Sequence, residues 1–115
     1  MSYDIRISVK VEGCRKYAEV GFPEYSSPTF NLRDMLVACM DWEYHQVEQY
    51  PAVLALEKIE HGINELEKNR DYYKRLNPSN GWGNIDSALR ALKSSWKCIH
   101  ECAEEYPIGC LYFEW

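Results

Sequence analysis

The sequence predicts an α+β fold: a small antiparallel sheet, made of an N-terminal hairpin plus a C-terminal strand, packed with three helices in the order ββαααβ. Three observations carry that expectation. Residues 3–12 alternate between apolar and polar types, the mark of a half-buried strand. Two longer stretches, Pro51–Leu76 and the run after Asn84, repeat apolar residues at steps of three and four, the mark of a helical face. The last eight residues, Ile108–Trp115, return to β-branched and aromatic types that suit a third strand.

Taken in order, Ile5, Ile7, Val9 and Val11 point to one side of the first strand, and Asp4, Arg6, Ser8, Lys10 and Glu12 to the other. Gly13 marks the turn, and Arg15–Phe22 returns as a second strand with Ala18, Val20 and Phe22 expected on one face. Such a hairpin does not hold up alone in water, so helices must cover it. Pro23–Thr29 reads as a loop and Asn31 as a helix cap, with Asp34 in the first turn where an acidic group is favoured. The first helix carries Leu32, Met35, Leu36, Cys39 and Met40 or Trp42 and is expected to end near Trp42–Tyr44. Glu43–Tyr50 is a polar, aromatic connection.

Pro51–Leu76 is expected to form one long helix, with Leu56, Ile59, Ile63, Leu66 and Tyr73 on its inner face. Pro51 suits a first helical position, and Asn77-Pro78 ends the helix. Roughly 26 residues at 1.5 Å each make a rod of about 39 Å, longer than the first helix, so Glu65–Arg75 should stand partly clear. Asn77–Asn84 is the strongest loop signal in the chain. Asn84 then caps a third helix whose buried stripe should be Ile85, Ala88, Leu89, Leu92, Trp96, Ile99, Ala103 and Tyr106, with Pro107 as its stop. The last strand is expected beside the first.

The chain has 115 residues, one domain's length, 46% hydrophobic and 27% charged. Its net charge of −5 disfavours duplex nucleic acid, which needs clustered Lys and Arg. The opening lacks a signal-peptide pattern, no apolar run is long enough to cross a bilayer, and the five cysteines are odd in number. A cytoplasmic protein with reduced thiols is therefore expected, without membrane partners.

The catalytic inventory is thin. There is no nucleophile motif, no phosphate loop and no dinucleotide-binding glycine pattern. Glu57 and His61, four apart, share a helix face, but nothing nearby completes a metal-ligand set, and a solvated pair explains them. Cys98 and Cys102 share a face while His100 points away, so a three-ligand zinc site fails on geometry. No metal and no cofactor is expected.

One constellation has a geometric argument. If consecutive helices run antiparallel, the amino ends of the first and third lie at the same end of the domain. Each carries unpaired N–H groups and about half a positive charge, so the pair favours an anion such as phosphate. The preceding loops supply hydrogen-bonding groups from Ser26, Ser27, Thr29, Asn31, Asn80, Gly81, Gly83 and Asn84, and flat rings from Tyr25 and Trp82. Caps and turns use the same residue types, and with Tyr25 and Trp82 packed as hydrophobic lids that is the more ordinary explanation from composition alone. An enzyme would need a converging carboxylate or histidine, and Glu24 alone fills that description in these loops.

The segments YDIRISVKVEG, PEYSSPTFNL, NPSNGWG and YPIGCLYFEW are similar to those of a group of small proteins from phages and other mobile elements of Gram-positive gut bacteria. The likeness spans nearly the whole chain, and Tyr25, Ser27, Pro28, Asn31, Asn80, Gly81, Trp82 and Gly83 are its matching motif positions. It brings no particular activity. It implies a gene carried for the element's own ends, with counter-defence in the host cytosol as one such use. The expectation is therefore a non-enzymatic protein that sequesters a small phosphorylated ligand, such as a nucleotide immune signal. The alternative is an acidic inhibitor docking on a host defence protein such as a CRISPR effector. Homodimerisation through a sheet edge or the long helix is compatible with either.

Overall fold

A computed structural model describes residues 5–10, 17–23, 32–42, 50–77 and 84–114. Strands β1 (Arg6–Lys10) and β2 (Tyr17–Gly21) are followed by helix α1 (Arg33–Met40) and a two-residue strand β3 (Tyr50–Pro51). Helices α2 (Ala52–Lys68), α3 (Arg70–Lys74) and α4 (Ile85–Glu105) come next, then a 3-10 turn (Ile108–Cys110) and strand β4 (Leu111–Glu114). The sheet is antiparallel in the order β2-β1-β4-β3, so the C-terminal strand lies beside the first as expected. The α+β architecture is as the sequence implies, with β3 as an extra short strand.

Strand β1 is held in register by β4, with Ile7 opposite Phe113 and Val9 opposite Leu111. Ile7, Leu111 and Phe113 are buried against the helices, α4 touching β1, β2 and β4 while α2 touches β3 and β4. The opposite face carries Arg6, Ser8, Tyr17, Glu19, Tyr112 and Glu114. There Arg6 pairs with Glu19 at 2.6 Å, and Tyr17 meets the edge of Tyr112 with ring centres 5.1 Å apart.

The second strand departs from the expected alternation. The register steps from Ile7↔Gly21 to Ser8↔Glu19, which leaves Val20 as an extra residue in β2. Such a bulge reverses which residues face inward on its far side. Phe22, expected inside with Val20, is 59% exposed. Val20 packs against the core, and Ala18, opposite Val9, is exposed although the register keeps it on the inner face. Gly21 faces the helices instead.

Helix α1 buries Met35, Leu36, Cys39 and Met40, and Leu32 and Trp42 on either side are buried too. It closes through Asp41, which takes the left-handed conformation at φ 51°, ψ 54°. The Trp42 amide then reaches back to the Val37 carbonyl at 3.1 Å, and the Asp41 amide donates to Ala38 at 3.4 Å. These bonds satisfy carbonyls that the helix end would otherwise orphan.

The expected single rod over Pro51–Leu76 is two helices. Pro51 lies in β3, one residue short of the first helical position, with ψ 127°. A break falls at Asn69 (φ −118°, ψ 42°), whose side chain donates to Glu65 Oε2 at 2.7 Å. Asn competes with helical hydrogen bonding through such local side-chain bonds. The break turns α3 back onto the core: Tyr73 is only 6% exposed, and Arg70 reaches Asp86 on α4 at 3.0 Å. The expected overhang is therefore partly tucked in.

The helices meet at Gly62. A Cβ there would lie 2.7 Å from Met40 Cγ, 3.0 Å from Leu92 Cδ1 and 3.3 Å from Cys39 Sγ. A residue without a side chain is what lets α1 and α4 approach α2 this closely.

Candidate functional site

The direction of each helix follows from its contacts. Lys58 on α2 donates to the Asp41 carbonyl at 2.9 Å, while Gly62, one turn further along α2, abuts Cys39 and Met40. Thus α1 runs antiparallel to α2. Along α4, Asp86 pairs with Arg70, Lys93 with Glu67 at 3.3 Å, and Trp96 with Glu60 at 2.9 Å, so α4 is also antiparallel to α2. The amino ends of α1 and α4 consequently point toward the end of the molecule where α2 finishes.

At that end the Asn84 side-chain oxygen accepts from the Ser87 amide at 3.0 Å and from the Ser87 hydroxyl at 3.2 Å. Asn84 is a cap, and its amide nitrogen is the part left to meet a ligand. Asp86 in the first turn of α4 suits the positive helix end. At α1, Leu32 occupies the cap position, and no side chain among the described residues caps it. Tyr25, Ser26, Ser27, Thr29, Asn31, Asn80, Gly81, Trp82 and Gly83 lie outside the described residues.

Helix α3 adds cations at this end, Arg70 paired with Asp86 and Lys74 with Asp71 at 3.6 Å. From sequence, Lys68, Arg70, Lys74 and Arg75 with Tyr72 and Tyr73 read as a stretch able to face a ligand or partner, though such a run is more often a solvated face. A shallow cavity of about 490 Å³ is lined by Glu67, Lys68, Asn69, Arg70, Asp71, Tyr72 and Lys74. The Arg75 guanidinium lies 4.2 Å from the centre of the exposed Tyr72 ring. The sequence offered the charge run ELEKNRDYYKR as the signal, but the break that aims it becomes visible only with α3 in place. Glu65, at the break, accepts from Asn69 and from the Tyr73 hydroxyl at 3.3 Å. Burial, followed by the Glu65 carboxylate, pushes the Tyr73 phenol up to about 12.

A second recess lies between α2 and α4, about 310 Å³ in volume and lined by Glu60, Ile63, Asn64, Lys93 and Trp96. Trp96 was expected in the buried stripe, but it is 38% exposed and rests beside His100 at 4.1 Å between ring centres. The buried arc of α4 includes Ala91, Ser95, Cys98 and Cys102, which displaces Trp96 to its margin. Ser95, polar and wholly buried, donates to the Ala91 carbonyl at 2.7 Å.

His61 approaches Glu65 at 3.9 Å, and among the described residues no three His, Cys, Asp or Glu side chains gather to hold a metal ion. Cys39, Cys98, Cys102 and Cys110 are free thiols. Among the described residues no helix is long and apolar enough to cross a membrane. No protein-family model, curated protein or solved structure matches the chain.

Proposed function

We propose that this is a non-enzymatic binding protein of a mobile element that sequesters a small phosphorylated ligand, such as a nucleotide immune signal, in counter-defence. The observation that carries the reading is the shared direction of the α1 and α4 amino ends, beside the cationic turn of α3. Oriented N–H groups and nearby Lys and Arg stabilise phosphate oxygens without any covalent chemistry. The ligand's base would stack on Tyr25 or Trp82, and Ser26, Ser27, Thr29, Asn80 and Asn84 would hydrogen-bond its phosphate. The mobile-element origin rests on the resemblance of the sequence segments.

Isothermal titration against a panel of mono-, di- and cyclic oligonucleotides tests this. Binding to at least one member is expected, weakened about tenfold or more by Trp82→Ala through loss of a stacking surface. No binding by any member, or a Trp82→Ala variant that binds as wild type does, counts against it.

The second reading, an acidic inhibitor of a host defence protein, is favoured by the acidic outer side of α2. Glu60 and Glu67 are already engaged by Trp96 and Lys93, so Glu57 is the informative probe. Under that reading a protein partner co-purifies in a salt-sensitive way, and Glu57→Lys weakens the association while leaving any nucleotide binding intact.

A further inference from the structure

Between α4 and the bulged edge of β2, two thiols converge on one point of backbone. Cys98 and Cys102 are one helical turn apart and face Gly21: a Cβ on residue 21 would lie 2.9 Å from the first sulfur and 2.6 Å from the second. The Cys102 sulfur also lies 4.0 Å from the Val20 carbonyl oxygen. Both thiols are free and nearly buried, at 8% and 7% exposure. They are not sealed off. A cavity of about 220 Å³ reaches Cys98 from the surface, lined by Phe22, Pro23, Ser94, Lys97 and Glu101 besides Cys98 itself.

We infer that Cys98 and Cys102 form a two-coordinate site for a soft monovalent cation, copper(I) in chemical class. Soft thiolates select such ions over hard divalent ones. Zinc, which takes four ligands in structural sites, is disfavoured because among the described residues no third His, Cys, Asp or Glu joins the pair. A d10 monovalent ion is satisfied by two sulfurs in line. Binding exchanges two S–H bonds for two metal–sulfur bonds and releases two protons; no electron is transferred. The resulting complex carries one negative charge, and the entrance is lined by Lys97 and Glu101, which pair with each other at 3.9 Å. Glycine at position 21 leaves the two sulfurs room to close on one ion.

The test is an anaerobic titration of the reduced full-length chain with copper(I) held by a chromophoric bidentate competitor. One equivalent withdrawn per chain is expected, with Cys98→Ser and Cys102→Ser each at least about tenfold weaker and Cys110→Ser unchanged. X-ray absorption on the wild-type complex should show two sulfur ligands in linear geometry, a readout independent of how the variants fold. No withdrawal by the wild type, affinity retained in Cys98→Ser or Cys102→Ser, loss in Cys110→Ser, or a three-sulfur shell would each overturn the assignment.

Discussion

At the scale of single residues, Gly62 holds the helical layer together by what it lacks. A Cβ there would crowd Met40 and Cys39 of α1 and Leu92 of α4. Alanine would favour the helix by up to about 1 kcal/mol, since glycine loses more backbone entropy on folding. Against this, a methyl group 2.7 Å from Met40 Cγ must push two buried side chains apart, and overpacking of that kind costs about 1–3 kcal/mol. The steric term wins: Gly62→Ala is expected to lower stability by roughly 1 kcal/mol or more in urea denaturation. A variant more stable than wild type would show that α1 moves aside freely. Gly62 falls at the step between Ile59 and Ile63 in the α2 stripe, and spacing alone does not separate a contact glycine from a tolerated one. Asn84 was legible for the opposite reason. A cap acts on its own backbone neighbours, so local sequence reveals it.

At the scale of elements, the two boundary features to weigh are the end of α1 and the break after α2. Asp41 is the one residue other than glycine with positive φ among the described residues, and an L side chain in that region carries a steric penalty. Asp41→Gly keeps the backbone carbonyl that Lys58 uses and removes the penalty. Stability should rise by about 0.5–1 kcal/mol, read as an increase in thermal midpoint; a fall would mean the Asp41 side chain has a further role. The break at Asn69 lay hidden because Arg70 and Tyr73 continue the spacing of α2. Periodicity reports which residues share a face, but it does not register one residue leaving the helical conformation. The bulge at Val20 misled in the same way, since one extra residue inverts the alternation without altering composition.

At the scale of the whole molecule, burial of neutral acids sets a pH limit. Desolvation raises the Cys39 and Cys98 thiols to about 12, and it raises the Tyr73 phenol to about 12 as well. In the unfolded chain these groups ionise nearer ~8.5 for Cys and ~10 for Tyr. Below those values both states hold the protons, and the stabilisation is fully present. Above them the unfolded state loses protons that the native state keeps. Stability should therefore fall as pH rises from about 9 toward 12, by about 1.4 kcal/mol per pH unit for each group ionised only when unfolded. Urea midpoints across that range check it, and a flat profile would show that the thiols ionise within the fold. The sequence by itself determined the element types, their order and most of the core, because alternation and helical spacing express burial face by face. Only the tertiary structure decided that α1 and α4 point their amino ends the same way, that Arg70 of α3 reaches Asp86 in the first turn of α4, and that Cys98 and Cys102 close on Gly21. Those are relations between segments far apart in the chain, fixed by packing directions that no local period encodes.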